Sequence, residues 1–316
     1  MPFHPALWPL AGMLLAVPEP TQTPPLPTDP AQVALTEVAE RMTVPVRIAG
    51  AGPYRFVIDT GAERTVISRQ LATTLGLAAG RDVNVVAMSG LSRVGTVIIP
   101  SLTLSSLPDT GRIQAPALDA EHLGGLGLLG IDTLQAHKVT IDFDGQQMAV
   151  TPSLKRKRSE PARADEVVVR AKNVFGQLIV TDAEIYGQSV RVVLDTGSPV
   201  SIGNSALMKL VRRRASKFEP LEVTSATGGR LDTQFTRAEN VRIGGVEFIG
   251  MPIAFADAAP FERFGLEKKP AMLLGMNALK YFRQVQIDFP NREVRFQLPR
   301  PHATRCLITV GRSCAT

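Results

Sequence analysis

Two short runs of apolar residues, Phe56 to Ile58 and Val192 to Leu194, each end at an aspartate. An apolar run of this kind predicts a buried strand, and an ionisable group at its inner end is costly unless that position serves a purpose. Both aspartates are followed by Thr-Gly, and the glycine allows a sharp turn where a side chain would clash. The pattern therefore predicts two tight loops, each presenting one carboxylate at the end of a core strand.

Other segments of the chain recur with nearly the same spacing. The segment LLGIDTL at 128–134 matches LLGMNAL at 273–279, and VTIDFD at 139–144 matches VQIDFP at 285–290. The partners lie 136 residues apart for the Asp-Thr-Gly triplets, 145 for the Leu-Leu-Gly turns and 146 for the strands that follow. Because these offsets are nearly constant, they indicate one fold present twice.

Several elements are predicted around the first triplet. Ser68 can cap a short helix over 69–77, and strands at 83–88 and 94–99, joined by Ser89 to Ser92, predict a hairpin. We interpret this hairpin as a flap over the loop, although its local pattern fits an ordinary surface hairpin equally well. The glycine-rich run at 124–130 lacks the Lys-Ser/Thr pair of a phosphate-binding loop, so a close-packed turn under Asp59 explains it better. Strands at 138–143 and 147–150, joined by Asp144-Gly145, are expected to close the lobe.

The second half predicts a matching set of elements. Asn204 or Ser205 caps a helix that reaches about Arg214, and the segment 224–229 is the second candidate flap. The stretch 261–269 has no counterpart of equal length in the first half and is interpreted as a surface elaboration.

The predicted organisation has five parts. Residues 1–30 form a possible signal peptide with a proline-rich linker, since the apolar run from Pro5 to Val17 is too short to span a bilayer stably. A disordered apolar start is the alternative, in which case the protein is cytoplasmic rather than periplasmic or extracellular. The first lobe covers 31–150, a basic and solvated interdomain linker 151–165, the second lobe 166–300 and a tail 301–316. The tail holds Cys306 and Cys314, which form a disulfide or remain free thiols.

Composition reduces the number of possible functions. Hydrophobic residues make up 44% and charged residues 20% of the 316, an ordinary globular balance. A net charge of +6 would suit a protein that binds nucleic acid. Aromatic residues are only 5%, however, and no basic helix carries stacking residues, so no nucleic-acid partner is expected. The four histidines are scattered without metal-ligand spacing, so neither a metal nor a cofactor is predicted.

Each half resembles one lobe of a retropepsin-like aspartic protease. The shared features are the apolar strand, the Asp-Thr-Gly-Ala or Asp-Thr-Gly-Ser loop, a glycine-bearing hairpin about 30 residues later and the apolar-apolar-Gly turn, over roughly 45–150 and 178–298. The resemblance implies a mainly β fold with two tandem β-barrel lobes related by a pseudo-two-fold axis, each with a short helix and a flap hairpin. Because one chain carries both lobes, a monomer with an intramolecular pseudo-dimer is expected.

The resemblance also implies an activity and its residues. It assigns catalysis to Asp59 and Asp195, which would activate a water between them to hydrolyse peptide bonds of an extended polypeptide. The implied active-site loops are Thr60, Gly61, Ala62, Thr196, Gly197 and Ser198, with the threonines hydrogen-bonded to each other. The implied substrate-binding flaps are Met88, Ser89, Gly90, Thr227, Gly228 and Gly229. The alternative is a non-catalytic peptide-binding or assembly protein that keeps this fold.

The two loops differ in sequence at one position, Ala62 against Ser198. If the loops superimpose, the Ser198 hydroxyl can donate a hydrogen bond to the outer oxygen of Asp195, whereas Ala62 offers Asp59 nothing. A donor to a charged group favours its ionisation, so this difference predicts that Asp59 more often holds the shared proton.

Overall fold

A computed structural model of the protein describes residues 43–104, 109–215, 217–299, 308–310 and 313–314. The predicted signal peptide, the proline-rich linker and Cys306 lie outside the described residues, and only the backbone of Cys314 is described. None of the helices in the described ranges has the length and apolar character needed to cross a membrane.

Short strands dominate the described chain, with short helices between them. The strands of the first half are β1 (Thr43–Ile48), β2 (Ala51–Ile58), β3 (Val66–Ser68), β4 (Val83–Ala87), β5 (Gly90–Val94), β6 (Thr96–Ile99), β7 (Leu102–Leu104), β8 (Ile113–Leu118), β9 (Gly127–Leu129), β10 (His137–Asp142) and β11 (Gln147–Pro152). Those of the second half are β12 (Glu166–Val174), β13 (Gln177–Val180), β14 (Ala183–Ile185), β15 (Gln188–Ser189), β16 (Arg191–Leu194), β17 (Ile202–Gly203), β18 (Glu219–Thr224), β19 (Arg230–Ala238), β20 (Val241–Ile243), β21 (Val246–Phe248), β22 (Met251–Phe255), β23 (Ala271–Leu274), β24 (Gln284–Asp288), β25 (Glu293–Gln297), β26 (Ile308–Val310) and β27 (Ser313–Cys314). The helices are α1 (Arg69–Thr74), α2 (Ala120–Leu123), α3 (Ile131–Leu134), α4 (Ser205–Val211), α5 (Ala259–Arg263) and α6 (Met276–Leu279).

Side-chain caps start the two helices for which the sequence predicts them. The Ser68 hydroxyl accepts a hydrogen bond from the Leu71 N–H at 3.1 Å, and Asn204 Oδ1 accepts one from the Leu207 N–H at 2.9 Å. Each cap satisfies a donor that the first helical turn leaves without a partner. Both helices are shorter than predicted, since α1 ends at Thr74 and α4 at Val211.

The strand leading to the first Asp-Thr-Gly loop is the centre of the first lobe. β2 runs parallel to β9, and β3 lies antiparallel on the other side of β9 and parallel to β8. These strands belong to a seven-stranded sheet in the order β6-β8-β3-β9-β2-β1-β7. Phe56 and Ile58 are fully buried in it. The loop that begins at Asp59 is therefore anchored to a core strand with neighbours on both sides.

The second half repeats this arrangement strand for strand. β16 runs parallel to β23, while β17 lies antiparallel to β23 and parallel to β22. These four strands are the counterparts of β2, β9, β3 and β8. The structure thus confirms the predicted architecture, a mainly β protein with two tandem lobes of the same strand topology.

The last hairpin of the first half does not close its own lobe, which corrects the expectation for 138–143 and 147–150. β10 pairs antiparallel with β24, so β10 and β11 extend a twelve-stranded sheet that contains β24, β25 and β12. In this pairing Thr140 lies opposite Gln286, its own counterpart in the repeat. Equivalent residues face each other in this way when a two-fold axis passes between them. The two halves are therefore joined by a continuous sheet.

The basic run at 155–158 is only partly solvated. Lys155, Lys157 and Arg158 are exposed, but the Arg156 side chain is only 27% exposed and pairs with two carboxylates whose side chains are 8% and 3% exposed. These carboxylates are Asp288, at 3.1 Å, and Glu293, at 3.5 Å. Arg156 fastens this segment to the sheet shared by the two halves, which the expectation of a solvated linker missed.

Arg156 also acts on a carboxylate outside that sheet. It forms an ion pair with Glu160, four residues further along the chain. The hydrogen bond and the charge of Arg156 hold the pKa of the Glu160 carboxyl below its ordinary value. Glu160 thereby stays ionised beside the guanidinium to a lower pH than a free glutamate.

Candidate active site

Each Asp-Thr-Gly loop folds around its own carboxylate. Oδ1 of Asp59 accepts hydrogen bonds from the N–H groups of Gly61 and Ala62, both at 2.9 Å. Oδ1 of Asp195 is held in the same way by the two N–H groups that follow its threonine, both at 3.1 Å. Backbone donors favour the ionised form of a carboxyl group and fix its orientation. One oxygen of each carboxylate is thus committed to its own loop.

The two threonines tie the loops together beneath the carboxylates. Thr60 Oγ1 donates to the Leu194 carbonyl at 2.9 Å and accepts from the Thr196 N–H at 3.1 Å. Thr196 Oγ1 donates to the Ile58 carbonyl at 2.7 Å and accepts from the Thr60 N–H at 3.1 Å. All of these groups are buried. This is the mutual hydrogen bonding that the resemblance implies for the threonines.

The glycine of each loop packs against the carboxylate of the other loop. A Cβ placed on Gly61 would lie 2.8 Å from Cγ of Asp195, and a Cβ on Gly197 would lie 2.2 Å from Cγ of Asp59. Any side chain at either position would displace the opposite carboxylate. The structure therefore brings the two carboxylates to the same space, with Asp195 only 6% exposed and Asp59 half-buried.

Matching turns support the loops from below. Asp132 Oδ1 accepts hydrogen bonds from the N–H and the hydroxyl of Thr65 at 2.9 and 2.8 Å. In the second lobe Asn277 Oδ1 binds the N–H and the hydroxyl of Ser201 in the same way, both at 2.8 Å. A Cβ on Gly130 would lie 2.4 Å from the backbone of Arg64. A side chain at Gly130 would not fit, so the glycine is explained by close packing under the loop, as the sequence predicts.

The hydroxyl of Ser198 does not take the predicted position. It donates its single proton to the Val200 carbonyl at 2.7 Å, two residues along its own turn. The expected donation to the outer oxygen of Asp195 is therefore wrong. A carbonyl in the same tight turn is the nearer acceptor, and such local side-chain to backbone bonds are common for serine. The Ser198 hydroxyl therefore gives no reason to expect that Asp59 holds the shared proton more often than Asp195.

The first predicted flap is a hairpin with a register different from the one expected. In β4 and β5, Ala87 lies opposite Gly90, so Met88 and Ser89 form the turn. The return strand is thus Gly90–Val94, whereas most of the predicted strand 94–99 is β6, which pairs with β8 instead. This hairpin has no continuous buried stripe, so hydrophobic periodicity could not locate its return strand.

The two hairpins meet at their tips. β18 and β19 pair as far as Thr224 and Arg230, so the turn between them is 225–229, one residue shorter than the predicted flap segment 224–229. The hydroxyls of Ser89 and Thr227 lie 3.5 Å apart, and a Cβ on Gly229 would lie 2.2 Å from Oγ of Ser89. The predicted flap residues of the two lobes are therefore in contact with each other.

A cavity of about 140 Å³ lies between the hairpins and the loops. Both Asp59 and Asp195 border it, as do Gly61, Ala62, Gly197 and Ser198 from the loops. Its other walls come from the core of the first lobe, the second loop, the hairpins and α5: Val66, Val85, Val86, Ala87, Met88, Leu118, Leu128, Pro199, Val223, Thr224, Ser225, Ala226, Thr227 and Pro260. Of the predicted flap residues, Met88 and Thr227 line this cavity, whereas Ser89, Gly90, Gly228 and Gly229 are not among its lining residues.

The contribution of α5 is not expected from the sequence, which predicts a surface elaboration at 261–269. Phe261 is instead fully buried in the second lobe. Pro260, Arg263 and Phe264 line a second cavity beside the first, and the Ala259 N–H donates to the carbonyl of Met88 in the first hairpin at 3.3 Å. The apolar pair Phe261 and Phe264 was the available signal, since it predicts an element with a buried face.

Comparison with known families follows the division into two halves. Residues 44–136 match the family described as "gag-polyprotein putative aspartyl protease", and residues 181–278 match the family described as "Aspartyl protease". No curated protein sequence matches the chain at a significant level. Each matched range contains one Asp-Thr-Gly loop and the turn that supports it. The chain belongs to the retropepsin-like aspartyl proteases and carries two of their domains in tandem.

Proposed function

We propose that this protein is an aspartic endopeptidase that hydrolyses peptide bonds of extended polypeptides, with Asp59 and Asp195 as its catalytic residues. The observation that carries the proposal is the shared cavity, which both carboxylates border from opposite lobes. The glycine of each loop packs against the opposite carboxylate, so the pair is assembled from both halves of the chain. Family membership supports the same class of activity.

The mechanism follows from two neighbouring carboxyl groups. Like charges at short range are unfavourable, so the pair holds one proton between its two members; aspartic proteases are the standard example of such a pair. The ionised member takes a proton from a water molecule as the water oxygen bonds to the peptide carbonyl carbon, while the protonated member donates to the carbonyl oxygen. The member that took the proton from water then transfers it to the amide nitrogen, and the C–N bond breaks. As the carbonyl re-forms, a hydroxyl of the tetrahedral intermediate returns its proton to the other member, so the pair again holds one proton.

The hairpins are proposed to close over the substrate. Their tips touch in this structure, and the cavity beneath them is too small for several residues of an extended chain. A polypeptide therefore enters only when the tips separate, and their closure afterwards excludes water and adds strand-like hydrogen bonds to the peptide.

One chain supplies both loops, so the active unit is proposed to be a monomer. Activity per mole of protein should then be independent of protein concentration. A specific activity that rises in proportion to concentration would instead indicate an obligate dimer. Export to the periplasm or the medium remains a proposal from the sequence, and N-terminal sequencing of the protein from separated cell fractions tests it.

The catalytic assignment is tested with Asp59→Asn and Asp195→Asn. Each variant should lose cleavage of unfolded casein over acidic and neutral pH while keeping the wild-type circular dichroism spectrum. Asp109→Asn, which alters an exposed aspartate outside the cavity, is the matched control and should cleave normally. Pepstatin should inhibit the wild type. Substantial cleavage by both Asn variants would refute the assignment, and peptide binding without cleavage by the wild type would support the non-catalytic alternative.

A further inference from the structure

The turn between β12 and β13 places residues of the second lobe against the first lobe, next to the loop that bears Asp59. Gly176 in this turn has a φ of 93°, and a Cβ on it would lie 2.4 Å from the Ile131 side chain of the first lobe. The next residue, Gln177, donates from Nε2 to the Gly61 carbonyl at 3.1 Å. A residue of one half thus holds the loop that bears the catalytic aspartate of the other half.

The other end of the Gln177 amide has no partner. Oε1 is buried and accepts no hydrogen bond from the described residues, and the whole side chain is only 1% exposed. The orientation of the amide follows from its neighbour, because a carbonyl oxygen such as that of Gly61 can only accept and so must face the NH₂ group. A buried acceptor without a donor is costly, so this oxygen is suited to a group that binds from outside.

Gln177 borders a cavity of about 320 Å³ that adjoins the one between the carboxylates. Gly61, Ala62, Val66, Val85, Val86 and Pro260 line both cavities. A peptide that lies across the carboxylates would therefore place one of its side chains in the larger cavity. This cavity is large enough for a long polar side chain.

Three charged residues line this cavity, Glu63, Arg64 and Arg263, so its net charge is positive. Arg64 makes no ion pair with any residue in the described ranges, whereas Arg263 pairs with Glu63. Arg263 also lies 4.9 Å above the exposed ring of Phe175, which is in the turn just before Gln177. Because Glu63 offsets the charge of Arg263, Arg64 is the group that disfavours a cationic side chain in the cavity, and the lone pairs of Gln177 Oε1 disfavour a carboxylate beside it.

We propose that Gln177 is a specificity-determining residue that selects substrates with a carboxamide side chain, glutamine or asparagine, in the cavity beside Gly61. The substrate amide donates its N–H to Gln177 Oε1, and its carbonyl oxygen accepts from a neighbouring guanidinium. This inference rests on the proposed peptidase function, and it names a substrate class for the same cleft.

The test uses matched peptides derived from one casein cleavage site. Positions on both sides of the cleaved bond are varied one at a time between glutamine, methionine, glutamate and lysine, which have similar lengths. At one position the wild type should favour glutamine over methionine by roughly 5- to 100-fold in kcat/KM, the range expected when a buried acceptor is either satisfied or left unpaired. The same ranking should appear as binding affinity, measured by fluorescence anisotropy, for the non-cleaving Asp59→Asn variant.

Two variants separate recognition from loop support. Gln177→Met removes the acceptor and should abolish the glutamine preference, and Gln177→Glu should move the preference towards lysine. A purely structural role would lower cleavage of all four peptides equally and leave their ranking unchanged, which would overturn the inference. Equal binding of glutamine and methionine peptides to the Asp59→Asn variant would also overturn it. Selective binding without cleavage by the wild type would refute only the peptidase function.

Discussion

Replacing Thr196 by valine tests whether the threonine bonds beneath the carboxylates hold the two lobes in a catalytic arrangement. Valine has nearly the shape of threonine but lacks the hydroxyl, so the change leaves no cavity. It removes two strong hydrogen bonds and a weaker one to Thr60 Oγ1 at 3.5 Å. The groups that lose their partners are the Thr60 N–H and the Ile58 carbonyl, both next to the buried Thr196 hydroxyl.

The magnitude follows from these two groups. A buried donor or acceptor left without a partner costs about 1–3 kcal/mol, so two of them should lower the free energy of unfolding by about 2–6 kcal/mol. For a chain of this size each kcal/mol shifts Tm by roughly 2–4 °C, and a central loss of about 4 kcal/mol corresponds to a fall of roughly 8–16 °C. Casein cleavage should fall as well, because the same bonds position both aspartate loops.

Thermal unfolding by circular dichroism, combined with the casein assay at a temperature where all variants are folded, checks this expectation. Thr196→Ser is the matched control, since it keeps both hydrogen bonds and loses one methyl group, worth roughly 0.8 kcal/mol. Thr60→Val should behave like Thr196→Val, because its hydroxyl makes the equivalent pair of bonds. If Thr196→Val melts within about 2 °C of the serine variant and cleaves casein equally well, the threonine bonds do not support the site.

Three further outcomes are expected. Arg156→Ala should lower Tm by roughly 4–12 °C, because it leaves two buried carboxylates short of a partner and so costs about 2–3 kcal/mol. Lys157→Ala, which changes an exposed neighbour in the same run, should leave Tm within about 1 °C. Ser198→Ala should leave the alkaline limb of the pH–rate profile in place, because the Ser198 hydroxyl donates to a backbone carbonyl and not to Asp195. A shift of about one pH unit would instead indicate a hydrogen bond from this hydroxyl to Asp195. Gly197→Ala should abolish casein cleavage, because its Cβ would overlap the carboxylate of Asp59. Activity near that of the wild type would contradict the packing of the loops. Gly95→Ala is the matched control, since the nearest atom to a Cβ at that position is 3.9 Å away.

The parts of the fold that repeat could be predicted from the sequence. The offset between Asp59 and Asp195 identifies two equivalent loops, and the capping residues Ser68 and Asn204 indicate where helices begin, because both signals are local. The pairing of β10 with β24 could not be predicted in this way. A repeat shows which residues are equivalent, but it does not show whether a strand pairs within its own lobe or with its counterpart in the other.

The details of the site that were missed depend on contacts between distant segments. Gln177 follows an ordinary turn sequence, and nothing local indicates that its amide reaches Gly61, 116 residues earlier in the chain. The prediction for the Ser198 hydroxyl was wrong for the opposite reason, because its actual partner is local. Superposing the two loops suggested an acceptor on Asp195, but a serine in a tight turn has a backbone carbonyl closer at hand.

Fusion of the lobes allows the two sides of the cleft to differ, which identical subunits cannot do, because in a symmetric dimer every residue occurs on both sides. In this chain Glu63 and Arg64 follow the first loop, whereas Pro199 and Val200 occupy the equivalent positions after the second. One flank of the carboxylate pair is charged and the other apolar. A symmetric cleft binds a peptide equally well in either direction, but unequal flanks give the two directions different free energies. We therefore expect cleaved sequences to show a polar preference on only one side of the cleaved bond.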